Sequence, residues 1–290
     1  MESKLSLFRS IEAFLWILRS FLFILFFIPI THSSSSPALS STNSFSLIPD
    51  HVVAYQLLFN DVDIGYLRFE FKSLGKNHFV YQINTNVKFF LLSDTREVNS
   101  YFSIKNGQVF AQKFEQTRSG TGKDFIEKVD FLPDSKKVVL VKNNKKKTLL
   151  VKEPIYDVIN SQVQMRLDFL NKKNKSLAYF YVYDEKQKKV EFELISHEKI
   201  NLLSKDFDAV KLSIKRKSKK RQSFIWLDKT LAYVPLKIVD TRGKSFTLEA
   251  NMTYFYTSIA KQPFQIGQDI VIPPMKEIKK VTKKKKHHKK

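Results

Sequence analysis

Few side chains in this sequence are arranged as a catalytic or metal-binding site. The 290 residues include no cysteine, which excludes disulfide frameworks, thiolate zinc sites, iron–sulfur clusters and a cysteine nucleophile. The six histidines follow no metal-binding spacing, and no glycine-rich phosphate loop occurs. Ser196, His197 and Glu198 are adjacent in a strand-like stretch, where neighbouring side chains point to opposite faces and cannot form a triad. The sequence therefore predicts a protein that is not an enzyme and that uses no cofactor or metal ion.

Lysine and arginine are the most prominent chemical groups of this chain. It contains 50 of them against 28 acidic residues, which gives a formal net charge of +22. Clusters of these basic residues attract lipid phosphates, lipopolysaccharide or acidic wall polymers. The solvated loops of a lysine-rich protein have the same composition. Nucleic acid is not an expected partner, because the aromatic residues alternate within strands and do not accompany the charges. The candidate contacts with an anionic envelope surface are Lys215, Arg216, Lys217, Lys219, Lys220, Arg221, Lys283, Lys284, Lys285 and Lys286.

The N-terminus has the pattern of a secretory signal peptide. Lys4 and Arg9 precede an uncharged apolar block at 21–30, which is shorter than the roughly 20 residues of a membrane span. We therefore predict a signal peptide over 1–33 and export to the periplasm or cell envelope. The alternative is an uncleaved anchor in the inner membrane, which would have to contain Arg19.

Composition also separates the folded part of the chain from its flanks. A serine-rich linker is predicted over 34–50, followed by one domain over 51–258. A C-terminal extension over 259–274 leads into 275–290, where lysines dominate. Because like charges repel one another, this tail is predicted to be disordered when free.

A period of two in the hydrophobic pattern predicts an all-β domain. Within 244–256, Phe246, Leu248 and Ala250 share one parity, and polar residues take most of the other. Asn106 and Gly107 form a hairpin signal between two such stretches. One segment instead repeats its apolar residues every three or four positions, and it predicts an amphipathic helix over about 154–171. We expect a strongly curved antiparallel sheet, or half-open barrel, covered by this helix.

Several landmarks along the chain are similar to those of a bacterial envelope family known as domain of unknown function 3108. They are the opening hairpin with Gly65, the stretches at 94–98 and 156–162, and a strand with Trp226 and Asp228 that is followed by Tyr233 and Pro235. The resemblance implies a periplasmic domain with a strongly curved β-sheet, and no established reaction. It also implies that the five named residues are fold markers, with Trp226 as a buried ring and Pro235 as an edge-strand proline.

These observations lead to a ranked set of functional hypotheses. The first is an exported, non-enzymatic envelope protein that binds a lipid or another hydrophobic ligand in a curved-sheet cleft, held at an anionic surface by its lysine clusters. The alternative is a packed β module that binds an envelope protein or wall polymer. A hydrolase or transferase with a dispersed site comes third. A large apolar cavity would favour the first hypothesis, and a filled interior would favour the second.

Overall fold

The computed structural model describes residues 48–152, 154–171, 177–216, 218, 220–243, 245–257 and 264–270. The predicted signal peptide, nearly all of the serine-rich linker, part of the 259–274 extension and the whole polybasic tail lie outside these residues. The candidate surface contacts that also lie outside them are Lys217, Lys219, Lys283, Lys284, Lys285 and Lys286.

The described residues form one large sheet, one α-helix and a short 3₁₀ helix at Pro133–Ser135. The strands are β1 (His51–Phe59), β2 (Val62–Gly75), β3 (His78–Phe89), β4 (Leu92–Lys105), β5 (Gln108–Gly120), β6 (Phe125–Leu132), β7 (Lys137–Lys142), β8 (Lys145–Leu150), β9 (Ile155–Asp157), β10 (Leu177–Tyr183), β11 (Lys186–Leu202), β12 (Lys205–Ile214), β13 (Arg221–Asp228), β14 (Val234–Arg242), β15 (Phe246–Thr257) and β16 (Phe264–Gly267). The helix α1 is Asn160–Leu170.

Hairpins joined in sequence order build this sheet. The order runs from β8 down to β1, continues from β15 down to β9, and places β16 beside β15. Neighbouring strands are antiparallel except β9 and β10, which are parallel. The sheet curls until its two ends meet, since Lys147 of β8 lies 3.3 Å from Glu185 of the β10–β11 turn and Gln187 contacts the backbone of Lys152. The predicted curved antiparallel sheet with one helix is confirmed.

Short turns with left-handed backbone conformations produce the meander. Asn106 and Gly107 have φ angles of 51° and 73°, and they join β4 to β5 as the sequence predicts. Asn and Gly tolerate these angles, and the twist of such turns matches that of the flanking strands. The chain can therefore reverse direction with two residues at most of its hairpins.

The side chains of alternate strand positions fill the inside of the curl. They form two apolar clusters, and Phe69 and Ile238 pack against both of them. The larger cluster includes Phe71, Phe102 and Tyr181, all of which are fully buried. Helix α1 contributes to this larger cluster, so it lies within the curl and against the inner face of the sheet.

The helix differs from the predicted one in its bounds and in its burial. Residues Ile155–Asp157 form β9, and the carboxylate of Asp157 accepts the backbone N–H groups of Ile159 and Asn160 at 2.7 and 2.9 Å. This carboxylate satisfies free N–H groups at the start of the helix, as a capping side chain does, and α1 begins immediately after it. Every residue from 160 to 169 is buried, the polar ones included. The helix therefore has no solvent-facing polar side, and the amphipathic covering helix over 154–171 is corrected to a shorter, enclosed one.

Three of the proposed fold markers lie at a bulge or a turn of the backbone. Gly65 lies at a bulge between β1 and β2 with a φ of +127°, and a Cβ atom there would be 2.0 Å from the carbonyl oxygen of Asn86. Only glycine fits this position. Asp228 is buried at the end of β13, where its carboxylate accepts the N–H of Leu231 at 2.9 Å. Tyr233 ends the same turn and stacks on Phe169 of α1, with ring centroids 5.2 Å apart.

The other two markers, Trp226 and Pro235, lie in the neighbouring strands β13 and β14, and only Trp226 departs from its prediction. Trp226 is half-buried at the margin of the smaller apolar cluster, where its indole N–H donates to Glu198 and the ammonium of Lys211 lies 4.7 Å from its ring. The fully buried positions before and after it are Ile225 and Leu227, so the ring is not the buried core ring that was predicted. Pro235 pairs with Leu227 of β13 at a bulge, whereas the pairing of β14 with β15 begins only at Lys237. The proline therefore lies where β14 has a free side towards β15, as an edge-strand proline does.

Candidate functional site

One end of the curled sheet collects positively charged hairpin turns. Alternate turns of an antiparallel meander lie at the same end of the strands. Here that end holds the turns of β1–β2, β3–β4, β5–β6, β7–β8, β10–β11, β12–β13 and β14–β15. We call it the basic rim, defined by the described residues 60–61, 88–92, 121–124, 142–147, 184–188, 215–216, 220–221, 242–243 and 245–246.

Three arginines of the basic rim converge on one carboxylate. Asp240 is fully buried, and it accepts hydrogen bonds from Nε of Arg221 at 2.9 Å and from Nε of Arg242 at 3.2 Å. Arg216 donates from Nε and Nη2 to the hydroxyl of Ser223, at 3.1 and 2.9 Å, and that hydroxyl donates to Asp240. We call these five residues the arginine cluster. Three guanidinium groups and one carboxylate leave this set with two net positive charges.

The pKa values of the arginines reflect this imbalance. Burial and the neighbouring charge of Arg221 together lower the pKa of Arg216 to about 9, against the attraction of Asp240. Burial and Arg221 also lower the pKa of Arg242 to about 10. Both groups remain charged at neutral pH, so the folded protein holds mutually repelling cations that a bound anion would stabilise.

Strand pairing brings these residues together over long sequence separations. Arg221 faces Arg242 across β13 and β14, and Ser223 faces Asp240 in the same pair. Arg216 reaches them from the end of β12, immediately before the chain turns towards β13. Two residues predicted as surface contacts, Arg216 and Arg221, thus lie partly buried in the cluster. Sequence reasoning missed the Asp240, Ser223 and Arg242 part, because only the β13–β14 register brings it next to 215–221.

Exposed lysines lie on the basic rim together with the arginine cluster. Lys215 and Lys220, which the sequence predicts as surface contacts, are exposed on the turn between β12 and β13. The β7–β8 hairpin adds three consecutive exposed lysines at 145–147. Lys147 forms an ion pair with Glu185, with Nζ and Oε2 3.3 Å apart. This exposed pair contributes about 0–1 kcal/mol, so a stronger anionic partner could take the place of Glu185.

An apolar hairpin tip lies on the same rim. Phe90 and Leu91, between β3 and β4, are 88% and 98% exposed. The ring of Phe90 contacts that of Phe89 with centroids 4.6 Å apart, and Phe89 contacts Phe59 at 5.4 Å. The tip is thus supported by partly buried aromatic rings. No sequence pattern indicated a role for this tip.

A buried arginine and a buried histidine lie inside the curl. The guanidinium of Arg166, on α1, is buried and donates from Nε to the carbonyl of Ala232 at 2.9 Å. Its Nη1 lies 3.2 Å from Nε2 of His51, and burial together with this arginine lowers the pKa of His51 to about 3. His51 is therefore neutral, and it stacks on Phe71 at 5.3 Å. These contacts fix the helix against the sheet, and no local sequence pattern indicated them.

Neither a cluster of metal ligands nor a membrane-spanning helix occurs among the described residues. Among them, no three histidine, aspartate or glutamate side chains come together as metal ligands would. Nor does the described part of the chain contain a helix long and apolar enough to cross a membrane.

Comparison with known protein families identifies the fold family. The family described as "Protein of unknown function (DUF3108)" matches residues 54–250, which is more than half of the chain. The chain belongs to this family. The resemblance seen in the sequence is confirmed. The DUF3108 region contains Gly65, Asp228 and all five residues of the arginine cluster.

Solved structures support the DUF3108 fold described above. The crystal structure of a beta-barrel-like protein of domain of unknown function DUF1849 from Brucella abortus is similar, with a TM-score of 0.50 and 9% identity over 72% of this chain and 97% of that one. The hypothetical lipoprotein YmcC from Escherichia coli matches with 9% identity over 72% of this chain and 89% of its own, at a TM-score of 0.24. The similarity to the Brucella abortus protein shows the fold alone. No curated protein matches the chain.

Proposed function

We propose that this DUF3108 protein is a non-enzymatic component of the bacterial cell envelope that associates with an anionic surface through its basic rim. The arginine cluster is the observation that carries the proposal. Three guanidinium groups lie together there with one carboxylate, at the end of the sheet that also carries exposed lysines. Arginine binds phosphate with two parallel hydrogen bonds, so a phosphate-bearing surface fits this arrangement.

Export is the second part of the proposal. The N-terminal pattern of a signal peptide over 1–33 supports export. Export would bring the protein to the phosphate-rich surfaces of the envelope. Near such a surface each lysine or arginine contributes about 1 kcal/mol, and the attraction declines over a Debye length of about 10 Å. The exposed lysines at 145–147 and 215 would add to the arginine cluster at this range.

The packing of the curl favours a filled interaction module over a lipid-binding cleft. Helix α1 occupies the inside of the sheet, and its residues from 160 to 169 are buried. Arg166 and His51 add buried polar contacts in the same interior. An acyl chain would have to displace these groups. Binding at the outer rim needs no such rearrangement.

Vesicle binding tests the proposal. The full chain, purified from an exporting host, is mixed with vesicles of phosphatidylcholine alone or with equal parts of phosphatidylglycerol. The variant Lys215→Gln/Arg216→Gln/Lys220→Gln removes three charges from the rim. The control variant Lys105→Gln/Lys137→Gln/Lys229→Gln removes three exposed charges from the opposite end of the strands.

We expect the anionic vesicles to bind more tightly than the neutral ones, and the rim variant to bind them roughly tenfold or more weakly. The control variant should stay within about twofold of the wild type. Equal losses for the two variants would mean that only net charge matters. Equal binding to both kinds of vesicle would refute association with an anionic surface.

A further inference from the structure

The β3–β4 tip exposes more apolar surface than any other hairpin of the described chain. Phe90 is 88% exposed and Leu91 is 98% exposed, the highest values among the large hydrophobic residues that the structure describes. Single exposed apolar residues are common on protein surfaces. Two adjacent ones at the end of a long hairpin, with strands of 12 and 14 residues behind them, are a projecting apolar point.

Turn formation does not explain these residues. Most two-residue turns elsewhere carry polar turn-formers, such as Asn60 with Asp61 and Asn143 with Asn144, and among these turns of the described chain only Leu203 repeats a large hydrophobic residue at a left-handed position. Phe90 has a φ of 53°, a left-handed conformation that is strained for a bulky side chain. Glycine or asparagine would relieve this strain and reduce the exposed apolar surface. The pair Phe-Leu is unfavourable for the turn, and its side chains need another explanation.

Aromatic contacts connect this tip with the arginine cluster. Phe89 packs beside Phe90, and Phe59 lies between Phe89 and Phe246, with centroids 5.4 and 5.3 Å apart. The guanidinium carbon of Arg242 lies 4.8 Å from the ring of Phe246. The exposed apolar point and the excess positive charge are therefore parts of one continuous surface on the basic rim.

We infer that the basic rim docks on an anionic lipid bilayer, with Phe90 and Leu91 inserted among the acyl chains and the arginine cluster and rim lysines at the phosphates. This inference rests on the proposed function and names its surface. Apolar side chains gain free energy by leaving water for acyl chains, and the flanking cations gain it from anionic headgroups. A wall polymer or another polyanion would attract the cations but would offer no acyl chains to the apolar side chains.

A pair of turn variants tests the inference. Phe90→Gly/Leu91→Asn removes the apolar point and places glycine at the position with positive φ, so the hairpin should fold at least as well. The control, Leu203→Asn/Ser204→Gly, changes an exposed turn at the opposite end of the strands, where both residues have positive φ. Both variants and the wild type are measured with vesicles containing equal parts of phosphatidylglycerol and phosphatidylcholine, between about 50 and 300 mM salt, and with soluble polyphosphate.

The inference predicts that the tip variant binds vesicles roughly tenfold or more weakly at every salt concentration, because an apolar contribution is not screened. It should bind polyphosphate as the wild type does, and the control variant should be unchanged in both assays. Wild-type vesicle affinity for the tip variant would overturn the insertion while leaving the proposed function intact. A wild-type protein that binds polyphosphate but not the vesicles would overturn the bilayer in favour of a polymer. Binding to neither would overturn the proposed function as well.

Discussion

Arg216 should lower the stability of the folded protein while strengthening its binding to an anionic surface. Its pKa of about 9 lies well below the ordinary 12.5. At about 1.4 kcal/mol per unit, this difference corresponds to about 5 kcal/mol against the charged, folded state. The two hydrogen bonds to Ser223 offset about 0.5–1.5 kcal/mol each. Replacing Arg216 by glutamine should therefore raise the free energy of unfolding by about 2–4 kcal/mol at neutral pH.

Urea unfolding followed by circular dichroism measures this effect, with the exposed Lys215→Gln as the control that should change stability by no more than about 0.5 kcal/mol. The pH dependence has a defined sign. Because the folded-state pKa of Arg216 is lowered, its folded form releases the proton first, and the penalty in the wild type declines as the pH rises above about 9. The stability advantage of Arg216→Gln should narrow over that range. A variant that is less stable than the wild type at pH 7 would refute the reasoning, since Arg216 would then be a net structural contact.

Three further predictions concern the fold. Gly65→Ala should cost at least about 3 kcal/mol in urea unfolding because of its φ and its clash with a backbone oxygen, whereas Gly75→Ala, with nothing within 4 Å, should lose only about 1 kcal/mol; similar losses would refute this. Trp226→Ala should cost about 1–2 kcal/mol, and a loss above about 4 kcal/mol would place the ring in the core. Burial raises the pKa of Asp157 to about 6 from 3.8, so the wild type should lose up to about 3 kcal/mol as the pH rises from 4 to 7, and a pH profile of Asp157→Asn with the same slope would contradict this.

Strand periodicity was sufficient to predict the fold class, but not the place of the helix. Ile155 and Ile159 continue the apolar spacing of α1 towards the N-terminus, and the sequence therefore extended the helix over them. In the folded chain, Ile155 pairs with Phe180 of β10 and Asp157 ends the strand. A local pattern cannot register a parallel pairing with a strand more than 20 residues away.

Burial of single residues was harder to predict than strands. Trp226 has apolar neighbours in sequence and was expected in the core, but the fully buried positions of β13 beside it are Ile225 and Leu227. Arg166 has the composition of a surface helix residue, and its burial depends on the carbonyl of Ala232 and the ring of His51, which lie 66 and 115 residues away in sequence. Contacts of this range depend on the closed curl of the sheet.

The candidate site was predicted in part. The cluster at 215–221 was expected to be a charged surface, and Lys215 and Lys220 are exposed, but Arg216 and Arg221 turn towards Asp240. The tip at Phe90 and Leu91 received no functional interpretation from the sequence, because its residues continue an apolar run from β3. A functional interpretation of the tip depends on the exposure of Phe90 and Leu91 at a turn, which only the structure shows.

The orientation of the protein on a bilayer tests the central claim most directly. The sequence contains no cysteine, so single probes can be placed by Lys123→Cys on the basic rim and Lys229→Cys at the opposite end, each removing one exposed lysine. An environment-sensitive fluorophore at each site is measured with anionic vesicles that carry a spin-labelled headgroup as quencher. The account predicts strong quenching at position 123 and none at position 229. Equal quenching at both positions, or quenching at 229 alone, would contradict docking through the basic rim.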